Sequence, residues 1–182
     1  MSYTICIDAG HGGKDPGAVN STDNAYKEKD AALSISLLLG SILMSKGYTV
    51  AHTRYFDTYL ALKDRCEVSN SSNAKAFVSI HLNSSTNKTA SGIEVLRYSS
   101  VGSNTKALAT NVQNNLIRSL GWKNRGVKER DNLYVLKHTI CSAILVECGF
   151  ISNYEERDKL FNTVYQLKIA NAIADGVISV FG

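Results

Sequence analysis

The chain has 182 residues, 44% hydrophobic and 20% charged, enough to bury the core of one ordinary domain and too apolar for a disordered segment. Its net charge of +4 suits an anionic surface, but Lys and Arg form no run interleaved with aromatics, which argues against nucleic acid. No apolar stretch approaches a membrane span, and the N-terminus lacks the basic and apolar regions of a secretory signal. The expectation is synthesis in the cytoplasm with release by other means, or a domain cut from a longer secreted chain.

Residues 3–8 (YTICID) are a mostly apolar run bounded by Gly10, the pattern of a buried strand. The loop GHGGKDPGA follows and holds Pro16, the only proline. Polar residues continue to Tyr26. A helix then begins near Lys27, with Ala32, Ile35, Leu38, Leu39, Ile42 and Leu43 at helical spacing and Gly47 as its stop. YTVAHTR (48–54) alternates like a strand, 60–70 reads as a helix with Leu62, Arg65 and Val68, and AFVSIH (76–81) is a short buried strand. Residues 83–91 are a polar loop, and GIEVLRY (92–98) is a strand. Residues 105–120 form an amphipathic helix with Ala109, Val112, Leu116 and Leu120 on one face. Residues 121–132 are polar and charged, LYVLKH is a short apolar piece, and strand, loop and short helix all fit 121–142. AILVECGF (143–150) is a strand, and 153–161 and 164–180 are helices, the last with a stripe of Ile169, Ala172, Ile173, Val177 and Ile178. Strands alternating with helices predict one α/β domain over residues 1–182, a mostly parallel twisted sheet flanked by helices on both faces.

Ligands of such sheets bind beyond the carboxyl ends of the strands. His11 follows the first strand, His81 ends another, Glu147 lies near the end of a third, and Glu28 opens a helix packed against the sheet. Two His and two Glu so placed are the parts of a catalytic zinc site, where three protein ligands leave one position for water. Any one of them alone is more often a hydrogen-bonded structural residue; the signal is their convergence. Gly12 and Gly13 leave His11 open, and Asn83 offers an amide on the face of His81. Glu147 interrupts an apolar strand, where an unpaired carboxylate is costly. Which Glu is the ligand and which the base stays open on these residues alone.

Lys14 after paired glycines hints at a phosphate loop, but the GK[ST] ending and a directly following helix are missing, as is the GxGxxG spacing of a dinucleotide site. Cys6, Cys66, Cys141 and Cys148 form no CxxC pair, so a zinc ribbon is not expected. Cys6 and Cys148 read as small hydrophobes, with Cys148 a lesser option as nucleophile. His52 and His138 read as structural or exposed.

The segments IDAGHGGKDPGA, KEKDAAL, LKDR, FVSIHLN, NRGVKE, LYVLK and ILVECGFISN, in that order over essentially the whole chain, resemble the zinc-dependent N-acetylmuramoyl-L-alanine amidases of the amidase-3 family. The resemblance implies that His11, Glu28 and His81 hold Zn2+ and that Glu147 is the catalytic glutamate, acting as general base and then acid. It implies hydrolysis of the amide between N-acetylmuramic acid and L-alanine by zinc-activated water, on a mostly parallel sheet flanked by helices. The partner is then peptidoglycan, attacked by an endolysin or autolysin domain working as a monomer with no nucleic acid or membrane partner. Arg65 matches a family arginine and reads equally as a substrate contact or a helix ion-pair residue. Asn83 and Arg125, the latter within NRG, are further substrate-binding candidates. Ala9 and Ser142 stand where the family usually or often has proline, both at scaffold positions. A wall-binding module without activity would keep the fold and lose the base, but Glu147 is present.

Overall fold

Apolar runs without helical period become strands of a six-stranded sheet in the computed structural model, which describes residues 4–20 and 23–182. They are β1 (Thr4–Ala9), β2 (Thr49–His52), β3 (Ala76–Asn83), β4 (Ile93–Arg97), β5 (Asn124–Glu129) and β6 (Ser142–Phe150). Tyr3 of the expected first strand and residues 21–22 of the polar stretch lie outside the described residues. The spatial order is β2-β1-β3-β6-β4-β5. β2, β1, β3 and β6 run parallel, β4 runs antiparallel to β6, and β5 runs parallel to β4. The mostly parallel α/β sheet expected from the alternation of elements is what forms.

The helices are α1 (Glu28–Ser45), α2 (Leu62–Ser71), α3 (Ser103–Leu120), α4 (Tyr134–His138), α5 (Tyr154–Leu160) and α6 (Thr163–Phe181). Asn153 and Asn162 cap α5 and α6 through their side-chain oxygens, which accept from backbone N–H groups of the first turn. Side chains alternate across each strand, so the two faces of the sheet bury different sets. Ile5, Ile7, Val78, Ile80, Ile144 and Val146 face the larger core, under the long helices α1, α3 and α6. A fully buried Ile or Leu of this kind stabilises by about 1.5–3 kcal/mol. Cys6, Phe77, Ala143, Leu145 and Leu96 face the smaller core, with Cys66 of α2 and Val135 and Leu136 of α4. Those two helices have 10 and 5 residues against 18, 18 and 19 on the other face. The short pair leaves the strand ends on its side uncovered, and that is where His81 and Glu147 stand.

Two segments left open by the sequence are now placed. The polar residues after Gly121 form the edge strand β5, whose side chains are half-buried or exposed, and the LYVLKH piece becomes α4. A charged, half-wet pattern is what an edge strand carries, and it hides the apolar alternation by which strands are recognised.

Under the smaller core lies a buried charge. Asp8 is 1% exposed and Arg65 3%. Arg65 Nη1 donates to Asp8 Oδ1 at 2.8 Å, with Thr53 Oγ1 on the same oxygen at 2.7 Å and Ser79 Oγ on the other at 2.6 Å. Burial alone would push the Asp8 carboxyl up, but the Arg65 charge and these hydrogen bonds hold it below the usual carboxylate range. Arg65→Leu strands that anion, so urea unfolding is expected to show a loss of about 3–5 kcal/mol. A loss under about 1 kcal/mol would contradict a structural role for this pair.

Candidate functional site

The site begins where β1 runs into its glycine loop. The carbonyls of Ala9, Gly10 and His11 are each taken by a buried guanidinium. Arg54 donates from Nε to Ala9 O (3.0 Å) and from Nη2 to Gly10 O (2.8 Å). Arg65 donates from Nη1 to Ala9 O and from Nη2 to His11 O, both at 2.7 Å. So held, the chain turns through His11 with φ of 59°, a left-handed conformation unusual outside glycine. The turn aims the ring back over the sheet, 4.9 Å from the ring of His81 in an edge-to-face arrangement.

Glu28, the first residue of α1, lies between the two rings. Its Oε1 is 3.1 Å from His11 Nε2 and 2.9 Å from His81 Nδ1. Two backbone N–H groups fix the carboxylate, Leu82 on Oε1 at 2.9 Å and Ala18 on Oε2 at 2.8 Å. The far nitrogen of His11, Nδ1, is 2.9 Å from Asp15 Oδ2, while Asp15 Oδ1 accepts from Gly17 N at 3.0 Å. Asp15 thereby selects which nitrogen of His11 faces the centre, as carboxylates do behind metal-bound histidines.

Glu147 is the register partner of His81 on β6, and Glu94 is the register partner of Glu147 on β4. Three adjacent strands thus present His81, Glu147 and Glu94 in a row on one face. Like charges directly opposite repel, and the two glutamates have different surroundings. Burial of Glu94 is outweighed by Lys128 and Arg125, which keep its carboxyl below the usual range. Burial raises Glu147, and the charges of Glu28 and Glu94 add to it against the two histidines, so its carboxyl is pushed up to about 7. Its Oε2 is buried with no hydrogen-bond partner. For His11, burial works against the charged ring, but Glu28 and Asp15 prevail and raise it to about 9. Glu28 falls well below the usual range, because bonds from both histidines overcome its burial.

His11, Glu28 and His81 bring their donor atoms within 4.8 Å of one another, and among the described residues they are the one such group of three or more His, Cys, Asp or Glu. Two imidazoles and a carboxylate suit zinc, whose tetrahedral ligands stand roughly 3.3 Å apart. The observed approaches of 2.9 and 3.1 Å match that scale, and the donor set fits the metal. A cavity of about 390 Å3 opens beside the two histidines, lined among others by Tyr59, Leu62, Leu133 and Tyr134.

The remaining candidates fall on two sides. Arg65 lies beneath the site, its guanidinium committed to Asp8 and to carbonyls of the His11 loop, the ion-pair form of its two readings. Asn83 Nδ2 and Arg125 Nε both donate to Glu94, at 3.1 and 3.0 Å. Cys148 points to the larger core, away from Glu147, and its thiol is raised by burial, which removes it as a nucleophile. Arg54, Asp15 and Glu94 went unnoticed in the sequence. Glu94 carries the same signal as Glu147, an acid inside an apolar strand (GIEVLRY).

The N-acetylmuramoyl-L-alanine amidase family model matches residues 5–179. Uncharacterized protein YqiI of Bacillus subtilis is 40% identical over 98% of this chain and 84% of its own length. The amidase LytC of the same organism is 35% identical over 100% of this chain but 36% of its own, so the chain spans about a third of that relative. The crystal structure of an N-acetylmuramoyl-L-alanine amidase from Clostridium difficile 630 superposes with a TM-score of 0.94, at 40% identity, covering 98% of this chain and 96% of that one.

The burial of Glu147 sets a pH dependence. Its carboxyl titrates at about 7 folded against 4.5 for an ordinary glutamate, so between those values the folded chain holds a proton that the unfolded chain releases. Stability falls with pH wherever the folded state binds more protons. Chemical denaturation of the metal-free protein is expected to show this decline from about 4.5 to about 7, and Glu147→Gln is expected to flatten it. An unchanged slope in the variant would contradict the assigned burial.

Proposed function

The chain belongs to the N-acetylmuramoyl-L-alanine amidase family, and from that premise we propose that it hydrolyses the amide joining the lactyl group of N-acetylmuramic acid to L-alanine in peptidoglycan. The observation that carries the reading is Glu147, half-buried with its Oε2 enclosed and without a hydrogen-bond partner, beside a His-Glu-His group suited to a metal.

His11 Nε2, Glu28 Oε1 and His81 Nδ1 would hold one zinc ion. Bound there, zinc supplies Lewis acidity and lowers the pKa of a water to about 7. The protein's own part follows from the contacts already described. Asp15 keeps Nδ1 of His11 occupied, so that Nε2 turns inward. Leu82 N and Ala18 N keep the Glu28 carboxylate from swinging away. Glu147, ionised, accepts a proton from the water that attacks the lactyl carbonyl carbon. It then gives that proton to the alanine nitrogen as the C–N bond breaks, leaving a lactyl carboxylate and a free amine. Burial of the metal-free site lifts the Glu147 carboxyl, the direction that suits a group which must both take and return a proton.

Glu147→Gln is expected to retain zinc while its turnover of purified peptidoglycan falls about 10²–10⁴-fold. His11→Ala is expected to lose zinc and activity together. Zinc titration and the appearance of free L-alanine amino ends measure the two properties separately. Wild-type turnover by Glu147→Gln would remove the assigned base, and zinc binding with no lysis by the wild-type chain would favour a binding module.

A further inference from the structure

β5 carries a bulge beside the site. Ile93 pairs with Asn124 and Glu94 with Gly126, so Arg125 is the extra residue between them. A bulge re-aims the side chain it carries. Arg125 Nε and Lys128 Nζ both donate to Glu94 Oε2, at 3.0 and 2.5 Å. Gly126, opposite Glu94, has nothing within 4 Å of the place a Cβ would occupy, so the surface there is open.

Two cationic heads thus share one carboxylate, Glu94, beside open surface. Arg125 and Lys128 side chains are 28% and 32% exposed. The Lys128 ammonium has two further N–H groups to offer, and Arg125 Nη2 has no partner among the described residues. The Arg125 guanidinium lies over the Phe150 ring, 4.9 Å from its centroid, which steadies its position. Because Glu94 is the cross-strand neighbour of Glu147, the carboxylate that gathers both heads starts about one strand spacing, ~5 Å, from the proposed base. Two extended residues starting at the scissile nitrogen span roughly 7 Å, so the residue after L-alanine reaches this spot. The cavity beside the histidines, with Tyr59, Leu62, Leu133 and Tyr134 in its wall, offers that residue an apolar surface instead.

We propose that Arg125 and Lys128, gathered by Glu94, bind a free carboxylate on the stem residue that follows L-alanine and so select acidic over amidated stems. The inference rests on the amidase reading above and names a subsite for it. Glu94 is a positioning residue here: it draws the two heads together without meeting the substrate.

Steady-state hydrolysis of N-acetylmuramoyl-L-alanyl-D-isoglutamate, compared with the D-isoglutamine amide, tests the subsite. The wild-type KM is expected to be roughly tenfold lower for the acid, the scale of one charge-assisted hydrogen bond, with similar kcat on both. The double variant Arg125→Gln, Lys128→Gln is expected to bring the ratio of the two KM values to about 1, erasing the preference for the acid, while any change in kcat that follows from the unpaired Glu94 falls on both substrates alike. Lys128→Arg keeps the charge and is expected to keep the preference. Equal KM values for the two substrates in the wild type, or an unchanged ratio of the two in the double variant, overturn the subsite. Failure of the zinc-loaded wild type to cleave either substrate overturns the amidase reading itself and the subsite with it.

Discussion

The grip of two buried guanidinium groups on three successive carbonyls, those of Ala9, Gly10 and His11, is the constraint on which the site depends. Each hydrogen bond from a charged donor contributes about 1.5–3 kcal/mol, more than the roughly 1–2 kcal/mol that a left-handed residue costs. The loop therefore stays in a conformation that His11 would not choose alone. Released from that grip, the ring would lose its station beside Glu28, and a three-donor cluster would become two. Arg65 joins this grip to the buried Asp8, so that the smaller core and the site are stabilised by the same side chain.

A second division follows from helix length. The face under α1, α3 and α6 is covered and carries most of the core, while the short α2 and α4 leave the other face open at its carboxyl end. Alternation along β3, β6 and β4 sends His81, Glu147 and Glu94 to that open side. The strands thus bury apolar residues on one side and present ionisable ones on the other from adjacent positions in the chain. The carboxylates then differ by company. Glu28 is ionised between two imidazoles, Glu94 is ionised under two cations, and Glu147 is left with a high proton affinity because neither kind of partner reaches its Oε2.

Much of this was legible in the chain. Buried strands announce themselves as apolar runs, and that rule locates His11, His81 and Glu147 at or near strand ends from the sequence alone. Glu28 needs more, because being first in a helix does not say which neighbours its carboxylate meets. The resemblance to known amidases supplied that expectation, and the fold brings Glu28 between the two rings. β5 escaped notice because an edge strand that is half-wet and bulged at Arg125 has no apolar alternation to read. Arg54 escaped for a different reason: nothing local marks an arginine whose partners are backbone carbonyls 44 and 45 positions away. Long-range polar contacts of that kind are set by the packing of whole elements.

The central claim is that His11, Glu28 and His81 hold the metal and Glu147 stays free to carry a proton. Anomalous scattering at the zinc edge, from crystals of the wild-type protein grown with zinc, tests it most directly. The account predicts one ion about 2.0–2.2 Å from His11 Nε2, Glu28 Oε1 and His81 Nδ1, with the Glu147 carboxyl outside the coordination sphere. An ion bound through Glu147 in place of Glu28, or no ion among these three residues, would contradict it.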